Sequence, residues 1–176
     1  MKNLIKSTQV LGYQYARSVI KGYKESKISS KETNDCTVKA IASALNESYD
    51  SAHKFCKSVL KRQDRKGLSL KELMKLSDKT YKIGDTVVDF TKLGVKRIKN
   101  EYKLKGEVVL RDKTVKSFIK SNPRGTFIVL VSGHAFSVVD GVLIDNVGEE
   151  FRPTRKVKSA FKIDIKAAPG LQLKLF

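Results

Sequence analysis

The chain has 176 residues, of which 40% are hydrophobic and 31% are charged, and its formal net charge is +18. This length and composition suit one globular domain and argue against an intrinsically disordered chain. No apolar run reaches the roughly 18 residues that a membrane-spanning helix needs, and the N-terminus lacks the continuous apolar segment of a secretory signal, so neither feature is expected.

The first part of the chain is expected to be helical. Apolar residues recur at roughly helical spacing between residues 4 and 24, which predicts a helical N-terminal arm over residues 1–30. A polar loop follows, and the next helix is predicted from Cys36 to Leu45. Asn34 or Asp35 can cap this helix, because a side-chain oxygen at that position can accept a backbone N–H bond.

Strands dominate the later part of the chain, after two further helices predicted over residues 49–61 and from residue 70. The predicted strands cover residues 83–90, 107–110, 126–131 and 160–165, and a short helix covers residues 115–120. The segment Val139-Asp140-Gly141-Val142 predicts a tight β-hairpin that turns at Asp140 and Gly141. Helices first and strands after favour an α+β fold. The predicted domain covers residues 31–176 and consists of an N-terminal helical half packed on a C-terminal antiparallel sheet.

Cys36 is a candidate nucleophile because of its place at the start of a predicted helix. The unpaired N–H groups and the dipole of a helix start favour the thiolate, which is the reactive form of cysteine. The chain holds only two cysteines and two histidines, so few other arrangements compete. Cys56 is expected on the apolar face of the second helix, where a buried structural role is the simpler interpretation.

His134 and Asp145 lie on the two arms of the predicted hairpin. If Asp140-Gly141 is a two-residue turn, the period-two alternation of both strands puts His134 and Asp145 on one face as diagonal neighbours. Asn146 then points to the other face, and a slip of one residue would exchange the two side chains. Asp145 in this position would fix the tautomer of the imidazole and stabilise the imidazolium.

The two segments together resemble the papain-like cysteine peptidase superfamily, and most closely its small members encoded by bacteria and phages. The resemblance covers residues 33–60 and 112–147, and it rests on the Asn-Asp-Cys helix start, the Gly-His-Ala segment and the Val-Val-Asp-Gly hairpin, in that order. It implies a helical half carrying Cys36 and a sheet half carrying His134 and Asp145, which meet at a cleft. The implied activity is peptide or isopeptide cleavage through an acyl-thioester.

The chain departs from that superfamily in its oxyanion-binding group. Papain-like enzymes commonly place a Gln several residues before the cysteine, and this chain has no Gln between Gln14 and Gln63. The Cys36 N–H can supply one donor, and Asn34 is the candidate for another, with Ser30 or Gln14 as alternatives. Losing one donor costs about 10²–10³ in rate. A slow enzyme and an inactive one are therefore alternative interpretations.

The strong positive charge favours an acidic protein or peptide substrate, or nucleic acid, as partner. The alternative function is therefore a catalytically inactive basic binding module of the same fold, which contacts nucleic acid or a virion or host protein. No cofactor or metal is expected; a zinc site made by Cys36, His53, Cys56 and His134, or a Cys36–Cys56 disulfide, is a minor alternative. The resemblance implies a location in the bacterial cytoplasm or in the virion.

Overall fold

The computed structural model describes residues 8–10, 13–93, 95–98, 101–104, 113–145 and 154–166. The strands within these residues are β1 Thr8–Val10, β2 Tyr13–Arg17, β3 Lys79–Ile83, β4 Thr86–Leu93, β5 Val95–Ile98, β6 Glu101–Leu104, β7 Thr126–Val131, β8 His134–Val139, β9 Val142–Asp145 and β10 Ser159–Lys166. The helices are α1 Cys36–Leu45, α2 Tyr49–Ser58, α3 Leu70–Leu73 and α4 Val115–Ser121, with 3₁₀ turns at Ser29–Lys31 and Met74–Leu76.

One mixed sheet organises the described residues. Its strand order is β1-β2-β9-β8-β7-β10-β4-β3, and β5 and β6 form a separate hairpin. Neighbouring strands in the sheet are antiparallel except β2 and β9, which run parallel. The predicted α+β class is therefore confirmed, but the expectation of a purely antiparallel sheet is wrong, because β2 enters the sheet from the N-terminal segment.

The prediction of a helical arm over residues 1–30 is wrong for the part that the structure describes. Residues 8–10 and 13–17 are strands, and Tyr15 and Ala16 are buried against the rest of the sheet. Pairing with β9 gives this segment a ladder of backbone hydrogen bonds and a buried face, which outweighs a local preference read from spacing alone. Residues 1–7 and 11–12 lie outside the described part.

Most of the other predicted elements are present with small changes. Helix α1 has the predicted bounds, α2 is three residues shorter than predicted, and α4 and β10 are within one residue of their predicted ends. The strand predicted over residues 83–90 is instead the hairpin of β3 and β4, which turns at Gly84 with a φ of 57°. The strand predicted over residues 107–110 lies outside the described residues.

Both faces of the sheet are covered, and β7 shows how its sequence allows this. Ile128 and Leu130 pack in a core with α1 and α2, whereas Phe127 and Val129 pack in a second core with α4. Because alternate residues of a strand point to opposite faces, a strand buried on both sides is a continuous apolar run, as residues 127–131 are. Within the described residues, no helix has the length and apolar character to cross a membrane.

Candidate active site

The hairpin of β8 and β9 has the register that its turn sequence predicts. Ser137 pairs with Ile144 and Val139 pairs with Val142, which leaves Asp140 and Gly141 as the two-residue turn. Both turn residues have positive φ, 47° and 77°, as the tight hairpin turn that matches the twist of the strands requires.

This register brings the imidazole of His134 to the carboxylate of Asp145. The distance between Nε2 of His134 and Oδ2 of Asp145 is 2.6 Å, and the Asp145 side chain is only 6% exposed. The ring of His134 also stacks near Phe136, with 6.2 Å between ring centroids, so the predicted sharing of one face is confirmed. Asn146, predicted to point away, lies outside the described residues.

Cys36 is half-buried at the first position of α1, which packs against β8. Hydrogen-bond contributions from the His134 side chain, the Ala135 backbone and the Thr37 side chain favour its thiolate. Burial alone would raise the pKa of the thiol, but these hydrogen bonds and the nearby imidazolium charge hold the pKa of Cys36 below its ordinary value. Because Nε2 of His134 is bound to Asp145, a hydrogen bond between the ring and the sulfur would use Nδ1.

The imidazole of His134 is correspondingly more basic than an ordinary histidine. Burial opposes its charged form, but the hydrogen bonds to Asp145 and Cys36 outweigh this effect and raise the pKa of His134 to about 9. The lowered thiol pKa and the raised imidazole pKa both favour the thiolate–imidazolium pair over the neutral pair. This pair is the activated form of a cysteine nucleophile.

Sequence reasoning missed two supports of this arrangement. The Thr37 side chain favours the thiolate of Cys36, and its place one residue after Cys36 at a helix start was an available signal. On the other side, the Tyr15 hydroxyl and the Ser18 N–H donate to the Asp145 carbonyl at 3.1 and 2.8 Å. No local sequence pattern indicates a role for Tyr15 or Ser18, because they reach Asp145 only through the parallel pairing of β2 with β9.

Asp35 occupies the N-cap position of α1 but does not cap the helix with its side chain, so this part of the prediction is wrong. Its carboxylate accepts a hydrogen bond from the Tyr49 hydroxyl at 2.8 Å and pairs with the Lys39 ammonium at 2.9 Å. The first N–H groups of α1 are therefore not consumed by the N-cap side chain. The Cys36 N–H is thus suited to bind a developing oxyanion.

Asn34 lies two residues before Cys36 and is partly engaged elsewhere. It is exposed, has a φ of 53°, and lines the same groove as Cys36. Its side-chain amide donates to the Arg65 carbonyl at 3.2 Å, and because an Asn amide carries two hydrogens, it can still donate to an oxyanion. The alternatives Ser30 and Gln14 are not among the described residues that line this groove.

A buried polar network holds the loop before Cys36. The Glu32 carboxylate binds Nε2 of His53 at 3.0 Å and the Arg62 guanidinium at 2.8 Å, and it accepts from the Arg65 N–H at 2.8 Å. Burial raises the pKa of a carboxyl group, but these donors together lower the pKa of Glu32 to about 2. Arg62 also donates to the Thr33 carbonyl at 3.2 Å, so the network fixes the backbone leading to Cys36.

The structure does not assemble the zinc site or the disulfide considered from the sequence. Both cysteines are described and are free thiols; Cys56 is fully buried, and burial raises its pKa to about 12. His53 belongs to the Glu32 network, away from Cys36. Glu32, His53 and Asp64 do place ligand atoms within 4.8 Å of one another. However, Arg62 and Lys57 pair with the two carboxylates at 2.8 Å, and these cations neutralise the charge that a metal ion would need.

Cys36 and His134 open into a groove of about 490 Å³. The other described residues lining it are Asn34, Thr37, Gly67, Leu68, Ser69, Leu70, Leu130, Val131, Ser132, Gly133, Ala135 and Lys158. This volume is in the range of small-ligand sites. The sulfur is therefore reachable by a substrate.

No protein-family model, curated protein or solved structure matches this chain.

The rate of Cys36 alkylation by iodoacetamide should rise with pH through a midpoint below the ordinary thiol value of 9.0, because the thiol pKa is lowered. His134→Ala removes the largest of the hydrogen bonds that favour the thiolate, so the midpoint should move up toward that value. The measurement is the alkylation rate against pH, followed by mass spectrometry. Cys56→Ala is the matched control and should leave the profile unchanged; identical midpoints with and without His134 would refute the ion pair.

Arg62→Met should lower the free energy of unfolding by about 3–5 kcal/mol, because it leaves the Glu32 carboxylate buried without its cation. Urea denaturation measures the loss, and Arg124→Met, at an exposed site, is the control with little expected effect. The double variant Glu32→Gln with Arg62→Met should recover part of the loss. Equal stability of Arg62→Met and Arg124→Met would contradict the network.

The Glu32 network should also make stability depend on pH in the acid range. The folded-state pKa of Glu32 is lowered from 4.5 to about 2, so its contribution is complete above 4.5 and is lost as the pH falls toward 2. Urea denaturation of the wild type and of Glu32→Gln between these values measures the difference. The gap between the two proteins should shrink as the pH falls; a constant gap would contradict the lowered pKa.

Proposed function

We propose that the protein is a papain-like thiol hydrolase that cleaves a peptide or isopeptide bond, with Cys36 as nucleophile, His134 as general acid and base, and Asp145 as the orienting group. The observation that carries this proposal is the convergence of the three side chains beside an open groove, with a lowered thiol pKa and a raised imidazole pKa. A nucleophilic cysteine at a helix start, packed against the strand that carries the histidine, supports the papain-like assignment.

In the acylation step, the Cys36 thiolate attacks the carbonyl carbon of the scissile bond, so that a C–S bond forms and the carbonyl oxygen takes the negative charge. The Cys36 N–H and the Asn34 amide are the proposed donors to that oxygen. The His134 imidazolium then gives its proton to the leaving nitrogen as the C–N bond breaks. The product is an acyl-thioester on Cys36 and a free amine.

In the deacylation step, neutral His134 takes a proton from water, and the resulting hydroxide attacks the thioester carbonyl. The C–S bond breaks, the carboxylic acid leaves, and the thiolate–imidazolium pair is restored. Asp145 keeps Nε2 of His134 occupied through both steps, so the same ring nitrogen serves the sulfur, the leaving group and the water.

The net charge of +18 favours a second candidate, a basic binding module of the same fold that holds nucleic acid or another polyanionic partner. In that case salt-sensitive DNA binding would persist in Cys36→Ala, and no acyl-enzyme would form. Binding alone does not separate the two functions, because a hydrolase of this charge also attracts polyanions. Acyl-enzyme formation does separate them.

Incubation with a proteome-derived peptide library, followed by acid quenching and mass spectrometry, should detect new peptide termini and an acyl adduct on Cys36. Cys36→Ala should abolish both, and His134→Ala should slow cleavage by about 10²–10⁴, which is the usual contribution of general acid–base catalysis. Asp145→Asn should slow it less than His134→Ala does. Cleavage that persists in Cys36→Ala, or a wild type that cleaves nothing and carries no adduct, would overturn the proposal.

A further inference from the structure

Two of the chain segments that line the groove beside Cys36 and His134 differ in polarity and charge. Residues 67–70 contribute Leu68 and Leu70, whereas residues 130–133 and Lys158 form the other side. Gly133 has a φ of 71°, and a Cβ added there would meet nothing within 4 Å. The backbone of this side is therefore open to a substrate chain.

The segment that leads into α3 presents apolar surface to the groove. Leu70 is 45% exposed, and it is the one exposed large hydrophobic residue of the described chain that also lines the groove. Leu68 beside it is half-buried. The Ser69–Glu72 capping box holds the backbone between them, so these side chains form a fixed apolar surface that an apolar substrate side chain would cover.

The opposite segment presents a positive charge. Lys158 is exposed, and its N–H donates to the Leu130 carbonyl at 2.8 Å, which fixes its backbone next to β7. None of the described groove-lining residues carries a carboxylate. The carboxylates nearest in sequence to the lining residues are engaged elsewhere: Asp35 binds Lys39, and Glu72 binds the N–H and hydroxyl of Ser69.

We propose that the groove selects an acidic peptide segment, in which an apolar side chain covers Leu68 and Leu70 and a carboxylate pairs with Lys158. This inference rests on the proposed hydrolase function and names its substrate class. The net charge of +18 raises the local concentration of acidic chains in general. Lys158 adds a preference at one position within the groove, since it lines the same groove as Cys36 and His134.

The test uses peptides that share one sequence with a central Leu and carry either Glu or Lys at each flanking position in turn. The first readout is kcat/KM, and the second is protection of Cys36 from iodoacetamide, which requires binding but no turnover. The wild type should prefer Glu over Lys at one position by about fivefold, the upper value for an exposed ion pair. Lys158→Glu should reverse that preference.

Lys116→Glu is the matched control, because it makes the same change in net charge at an exposed position of α4, which packs on the sheet face opposite α1. It should weaken binding of every acidic peptide without changing the positional preference. Leu70→Ala should weaken binding of the Leu peptides relative to Ala peptides, whereas Ile165→Ala, at another exposed apolar residue, should not.

Failure of this inference and failure of the hydrolase are distinguishable. Cleavage with no positional charge preference, or equal shifts in Lys158→Glu and Lys116→Glu, would overturn the assigned selectivity and leave the hydrolase standing. Protection of Cys36 with the expected preference but without cleavage would support the selectivity and overturn the hydrolase. Neither cleavage nor protection by any peptide would overturn both.

Discussion

The hydrogen bond between His134 and Asp145 is the interaction on which the site depends. It exists because a two-residue turn at Asp140 and Gly141 sets the register of β8 against β9, and a slip of one residue would turn Asp145 to the other face. The bond occupies Nε2 of His134, so that a hydrogen bond between the ring and Cys36 would use Nδ1. It also stabilises the charged imidazole, which in turn lowers the pKa of the thiol. Strand register thus decides the chemistry of a residue that is far away in the sequence.

A second constraint sets where the sulfur lies. The loop before Cys36 is held by Glu32 and Arg62, and Asp35 is held by Tyr49 and Lys39. A buried ion pair contributes little net stability compared with well-packed apolar residues, although removing one partner is costly. The consequence of this network is therefore mainly geometric, because it fixes the start of α1, where Cys36 lies.

The N-terminal segment is part of the site rather than an appendage. Strand β2 runs parallel to β9, and the Tyr15 hydroxyl and the Ser18 N–H both reach the Asp145 carbonyl. This pairing extends the sheet past β9 and buries the backbone that carries the carboxylate. Asp145 is thereby held from both sides, by the hairpin partner β8 and by β2.

The sequence by itself determined the elements whose signals are local. The bounds of α1 and β7 and the turn at Asp140 follow from apolar periodicity and turn chemistry, and the turn was enough to predict that His134 meets Asp145. The positions of β2 and the hairpin at Gly84 were not predictable in this way, because strand pairing depends on distant partners. Asp35 occupies the N-cap position of α1, but its carboxylate accepts a hydrogen bond from Tyr49 of α2 and does not cap the helix.

Only the tertiary structure decided that Cys36 reaches His134, that β2 supports Asp145, and that Lys158 shares a groove with the sulfur. Each of these contacts joins residues far apart in the chain, and their free energy comes from burial and pairing that no local window of sequence contains. Local sequence therefore supplied the reactive groups and their strand faces, and packing supplied their meeting point.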